Sequence, residues 1–176
     1  MTDRPPKTQA MRSLDQMGVA YDVIVFPETI HDARGVADFA GLPYGQVFKT
    51  LVVRPPEARG RPALILIPAD SSLDLKKTAR ELKRKKVEMA TQAEAERWTG
   101  LKVGGISALA LLNRGFPVYL DRSAGSLERL VVSAGQRGLN VRLRVEDFGR
   151  VTEASWVDAA HPEGESGATG AAGDGV

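Results

Sequence analysis

Apolar and polar residues alternate in some stretches of this chain, and in others recur at the three- and four-residue intervals of a helix, so its elements can be read in order. In KTQAMRSLDQMG, residues 7–18, Ala10, Met11, Leu14 and Met17 share a helical face and Gly18 supplies a stop. YDVIVF, residues 21–26, reads as a strand, with Tyr21, Val23 and Val25 alternating against Asp22, Ile24 and Phe26. DARGVADFAG, residues 32–41, predicts a short helix capped by Asp32 and ended by Gly41. The turn LPYGQ leads into QVFKTLVV, residues 46–53, which is largely apolar on both faces yet carries a lysine, and predicts a strand covered on both sides. RPPEARGRP is a hairpin connection to ALILIPA, so these two strands should pair antiparallel.

Further along, SSLDLKKTARELKRKK, residues 71–86, predicts a basic helix capped by Ser72, followed by a short strand VEMA. TQAEAERWTG predicts a helix opened by Thr91 and closed by Gly100. PVYLD and RLVVSA read as strands, GQRG as a turn into the strand NVRLRV, and EDFGRVT as a closing helix or turn. From about Ala159 the chain is crowded with Gly, Ala and small polar residues and loses its periodicity. The expectation is one domain over residues 1–158 and a disordered tail over 159–176. Short links between strands argue against a doubly wound parallel sheet and for a mixed, mostly antiparallel sheet with helices around it.

The 176 residues suffice for one domain with a core, and a net charge of +2 does not by itself point to nucleic acid. The absence of cysteine excludes a disulfide framework, a thiolate zinc site and a cysteine nucleophile, and fits a reducing compartment. The N-terminus lacks the apolar core of a signal peptide, and no apolar run approaches the roughly 18 residues of a membrane span. The chain is therefore expected to be cytoplasmic. His31 and His161 are the only histidines, no dinucleotide fingerprint or Walker loop occurs, and no elbow motif supports a serine nucleophile. No metal or cofactor is expected, and an enzyme of this sequence would work without a conventional side-chain nucleophile.

Four features can carry chemistry. Lys49 lies in the apolar strand, where its ammonium either pairs with an anion in a cleft or reaches water past a packed stem. KVGGIS, residues 102–107, has two glycines that let backbone approach a ligand and aim amides at developing negative charge, or that simply form a tight turn. In SAGQRGLN, residues 133–140, Ser133 and Asn140 offer hydroxyl and amide groups on either side of a glycine-bounded turn carrying Arg137. Lys76, Lys77, Arg80, Lys83, Arg84, Lys85 and Lys86 form either a track for a phosphate backbone or a solvated charged face.

Taken in order, VFKTLVV, LDLKKTARELKRKKVEMA, TGLKVGGIS and VVSAGQRGLN resemble the YbaK/EbsC family of aminoacyl-tRNA editing proteins, within it the freestanding Cys-tRNA(Pro) deacylases, from about Met11 to Val151. The resemblance implies an α/β (α+β) fold with a mostly antiparallel, barrel-like sheet, and a cleft for the aminoacylated end of a mischarged tRNA. It implies Lys49, Gly104 and Gly105 as the reactive centre, with Phe26, Ile106, Ser107, Ser133 and Asn140 around the substrate. It also implies water or the substrate's own thiol as nucleophile, and prolyl-tRNA synthetase as a transient partner of a monomer or weak homodimer. Three positions depart from the family pattern: Ala108 stands where proline is common, Phe26 where tyrosine is, and Asn140 where aspartate is. Ala-tRNA(Pro) is thus an alternative substrate, and a non-catalytic module binding tRNA or synthetase an alternative role.

Overall fold

In the computed structural model, residues 4–57 and 60–163 are described. Helix α1 (Gln9–Gln16) starts where the Thr8 hydroxyl accepts a hydrogen bond from the Met11 amide, and it buries Ala10, Met11 and Leu14. Strand β1 (Asp22–Val25) precedes α2 (Ala33–Ala40), which is capped by Asp32 and ended by a left-handed Gly41. Then come β2 (Phe48–Val53), β3 (Ala63–Pro68), β4 (Ser71–Leu73), α3 (Leu75–Glu81) and α4 (Gln92–Thr99). The chain closes with β5 (Val118–Asp121), β6 (Arg129–Gln136), β7 (Leu139–Arg144), α5 (Val145–Thr152), β8 (Ser155–Val157) and β9 (Ala160–Pro162).

The strands form ladders in the orders β1-β7-β6, β2-β3-β5-β8 and β4-β9. β3/β5 and β5/β8 are parallel, and the other ladder pairs antiparallel, including the expected β2/β3 pair. The first two ladders meet at an isolated parallel bridge between Val47 and Val131. This is the mixed, mostly antiparallel sheet with surrounding helices that the sequence implied. Among the described residues no helix is long and apolar enough to cross a membrane.

Alternation along β2 sends its side chains into separate apolar clusters. Phe48 and Val52 join the main core with α1, Leu64, Leu66, Leu130, Val132 and Phe148. On the other face, Val47 packs with Val131 and the α2 residues Val36 and Ala37, whereas Leu51 and Val53 pack with Ile65, Ile67 and Ala79 of α3. Lys49 lies on this second face, between the cluster under α2 and the cluster under α3. Coverage on both sides explains the doubly apolar pattern, and the gap between two clusters is where a cation can be accommodated.

Several expectations change. The basic segment is not one long helix: Asp74, not Ser72, caps it, Ser72 belongs to β4, and α3 stops at Glu81. Lys83 turns the chain with φ +55°, and the Arg84 amide donates back to the Ala79 carbonyl. The basic side chains therefore do not share one helical stripe. VEMA forms no strand; Met89 makes only an isolated bridge to Val53. Residues 159–163, expected in the tail, belong to the fold. Ala159 is buried, β9 pairs with β4, and Glu163 bonds through its amide to Asp70 O and through its carboxylate to Arg34. The reason is Asp121, a buried carboxylate whose Oδ1 accepts from the Ala159 and Ala160 amides at 3.0 and 2.9 Å. The rest of the proposed tail, 164–176, lies outside the described residues.

Candidate functional site

The β-register gathers polar groups on the second face of the sheet. Ile24 of β1 is opposite Asn140 of β7, and Asn140 is opposite Ser133 of β6. Since Val47 bridges Val131 in parallel sense, two residues on brings Lys49 of β2 level with Ser133. Alternate β6 and β7 residues, Val132, Ala134, Leu139 and Val141, fill the main core, so Ser133 and Asn140 point to the opposite side, as Lys49 does. Lys49 is half-buried, while Ser133 and Asn140 are each only 1% exposed. The Ser133 hydroxyl accepts from the Gly135 amide at 3.2 Å. The Asn140 Oδ1 is buried and has no hydrogen-bond partner among the described residues. Phe26 is buried with Val36 and Val131 in the apolar cluster under this face, and its amide donates to Gly138 O.

The glycine loop meets the same strand at its far end. A Cβ on Gly105 would lie 3.0 Å from Arg137 N and 3.1 Å from the Gln136 Cα, and one on Gly135 would lie 2.9 Å from the Ala110 Cβ. Residues 104–110 are thus pressed onto the β6–β7 hairpin, beginning two residues beyond Ser133. Gly104 has φ +95°, a conformation that favours glycine. The Gly105 amide, however, donates to Lys102 O at 2.8 Å. It closes a turn, the second of the two readings the sequence left open for this segment, so that amide is not free to meet an oxyanion.

Two neighbours serve the fold first. The Ile106 side chain is 3% exposed and lies in the main core, leaving only its backbone to the loop surface. The buried Ser107 hydroxyl accepts from the Ala110 amide at 3.2 Å, capping a short turn of helix.

What holds the loop was not apparent from sequence. The Glu96 carboxylate of α4 accepts from the Val103 amide at 3.2 Å, and Arg137 Nε donates to the Val103 carbonyl at 2.7 Å. Both backbone polar groups of the residue before the glycines are therefore clamped, the amide from α4 and the carbonyl from the hairpin turn. The Val103 amide, then the Gln92 side chain, with smaller help from Lys102 and Arg137, hold the Glu96 carboxyl below its ordinary range. Arg137 is conspicuous in its turn, but its partner lies 34 residues away.

The basic cluster disperses. Lys77 binds Asp158 at 2.9 Å and Ala160 O at 3.4 Å, fastening the C-terminal strand, and Lys86 pairs with Glu88. Arg84 is half-buried; Lys76, Arg80, Lys83 and Lys85 are exposed. Among the described residues no group of three His, Cys, Asp or Glu side chains could hold a metal ion.

Residues 27–151 match the family of aminoacyl-tRNA editing domains. The chain is 35% identical over 159 residues to EbsC of Enterococcus faecalis, whose name proposes Cys-tRNA(Pro)/Cys-tRNA(Cys) deacylase activity; the match spans 89% of this chain and 95% of that one. A solved structure described as a proposed trans-editing enzyme for prolyl-tRNA synthetase superimposes with TM-score 0.75 and 24% identity, over 89% of this chain and 99% of the other. Another, of a hypothetical protein, gives TM-score 0.79 at 19% identity over 88% and 100%. These last two likenesses show the fold, and the first two the family. The chain belongs to the aminoacyl-tRNA editing family, the YbaK/EbsC group of aminoacyl-tRNA deacylases.

Proposed function

We propose that this chain is a trans-editing deacylase that hydrolyses the ester of mischarged Cys-tRNA(Pro), acting in the cytoplasm on product released by prolyl-tRNA synthetase. The observation that carries the reading is Lys49, the one cation of a largely apolar strand, level with the buried polar pair Ser133 and Asn140. An aminoacyl ester is already activated, so positioning and stabilisation of the tetrahedral oxyanion supply most of what hydrolysis needs. Lys49 anchors the terminal nucleotide or ester region, and amides of the 104–107 turn other than that of Gly105 face the oxyanion. Gly104 and Gly105 contribute mainly by letting the backbone come close. The nucleophile is water or the cysteine thiol of the substrate; in the latter case sulfur attacks its own carbonyl and the ribose oxygen leaves, taking a proton. Editing of this kind removes a small residue that the synthetase site rejects poorly, because small side chains differ little in binding energy. Of the basic residues, Lys76, Arg80, Lys83 and Lys85 remain exposed for a tRNA backbone.

The test is release of amino acid from labelled Cys-tRNA(Pro), Ala-tRNA(Pro) and Pro-tRNA(Pro). Cys-tRNA(Pro) is expected to react and Pro-tRNA(Pro) to survive, with Lys49→Ala inactive yet fully folded. An unimpaired Lys49→Ala enzyme refutes the assignment. Phe26 favours a second reading, Ala-tRNA(Pro) as substrate, because it places no phenol near the row. Binding of charged tRNA without turnover would instead favour a non-catalytic module.

A further inference from the structure

Four side-chain atoms are buried without a hydrogen-bond partner among the described residues: Thr50 Oγ1, Arg84 Nη1, Asn140 Oδ1 and His161 Nε2. Asn140 is set apart by its place. Thr50 shares its face of β2 with Phe48 and Val52, which enter the main core, and Arg84 and His161 belong to the α3–β4–β9 region. Asn140 alone of these four sits in the cross-strand row that continues through Ser133 to Lys49. Hiding an amide oxygen with nothing to accept is destabilising, and a leucine of similar size would avoid that cost. A strand-centre position that forgoes that stability is one whose partner arrives from outside.

Resting on the deacylase reading above, we infer that Asn140 determines specificity by accepting a hydrogen bond from the side chain of the esterified amino acid. It selects small residues that carry a donor, a thiol or a hydroxyl, over alanine. Depth decides which part of the substrate reaches it. Two inter-strand spacings of about 4.8 Å separate β7 from β2, and Asn140 is only 1% exposed, so of a charged tRNA the aminoacyl side chain is the part small enough to be its partner. Charge decides which donor. The α-ammonium would be buried against a neutral amide with Lys49 along the same row, an uncompensated cation that desolvation penalises. A neutral S–H or O–H satisfies the oxygen without that penalty, alanine leaves it unpaired, and proline brings no donor either. Ile24 and Phe26 border the row with apolar surface, which limits the size of what enters.

The experiment measures binding alone, so that it does not depend on which nucleophile acts. The full chain is titrated calorimetrically with acceptor-stem hairpins of tRNA(Pro) carrying cysteine, serine, alanine or proline in a stable 3′-amide linkage. Cysteinyl and seryl hairpins are expected to bind at least about tenfold more tightly than alanyl and prolyl ones, the effect of one buried hydrogen bond. Asn140→Leu should bring serine and alanine to within about threefold while melting no lower than the parent. Should that variant misfold, Asn140→Ser, which keeps an acceptor on a shorter arm, must shrink the preference for cysteine without inverting it. Equal affinities in the parent protein, or a preference that survives Asn140→Leu, overturn the inference and leave deacylation standing. Failure of all four hairpins to bind would take down the deacylase reading and this inference with it.

Discussion

Replacing Gly105 with alanine tests how the glycine loop is set. The added Cβ would lie 3.0 Å from Arg137 N and 3.1 Å from both Cα and C of Gln136. All three are backbone atoms at the end of a hydrogen-bonded hairpin, so none can rotate aside. Comfortable contact begins near 3.5–4.0 Å, so loop or hairpin must move by about half an ångström. Overpacking of this kind costs roughly 1–3 kcal/mol. For a chain of this length each kcal/mol lowers the melting temperature by about 2–4 °C, which predicts a loss of about 2–12 °C. Because a 1 Å misplacement can cost on the order of a hundredfold in rate, half that shift should slow deacylation about tenfold. Gly104→Ala is the comparison. Its Cβ meets chiefly the flexible Arg137 side chain, at 3.1 and 3.2 Å, but φ +95° strains any L-residue, and displacing Arg137 frees Val103 O. Thermal melts and single-turnover deacylation at 25 °C, where the variants remain folded, separate the two effects. If Gly105→Ala melts and reacts like the parent, the loop is not seated against the hairpin as argued.

Asp121→Ala removes the carboxylate that meets the Ala159, Ala160 and Ser123 amides, and should destabilise the protein by roughly 2–5 kcal/mol in urea titrations; a change below about 0.5 kcal/mol would contradict the role given to it. Thr91→Ala breaks a complete capping box with Glu94 and should cost about 1 kcal/mol, read as a shift of the same unfolding midpoint. Since the folded protein holds the Glu96 carboxyl below its ordinary range, its stabilisation is complete above that range and is lost as pH falls through the lowered value. The stability difference between the parent and Glu96→Gln should therefore stay constant from neutral pH to the ordinary carboxylate range and shrink only in stronger acid. A difference that grows on acidification would reverse the sign.

What could be read in the sequence was what local spacing encodes. Period-two alternation located β2, β3, β6 and β7, and Asp32, Gly41, Thr91 and Gly100 marked helix ends that are in place. Lys49 stood out because one cation interrupts a doubly apolar strand. Three-residue strands such as β8 and β9 are too short to show a period, and β9 is ordered by Asp121, a residue far upstream. The parallel β3/β5 and β5/β8 pairs are equally non-local. The early end of α3 is set by a left-handed lysine, where sequence offers no glycine to announce it. At the site, GGIS reads as a loop with Ile106 beside the substrate, yet the Ile106 side chain is core, and the grip of Glu96 and Arg137 on Val103 joins residues 7 and 34 positions apart.

The meeting of the two ladders at Val47 and Val131 has a mechanical consequence. Lys49 stands on one bank of that seam and Ser133 with Asn140 on the other, so the spacing between the lysine and the buried polar pair is governed along a line laced by an isolated bridge and not by a ladder. On the proposed function, a small parting there would admit substrate while each bank keeps its own ladder. Amide exchange at residues 47 and 131 should report that breathing before any part of β3 or β7 does.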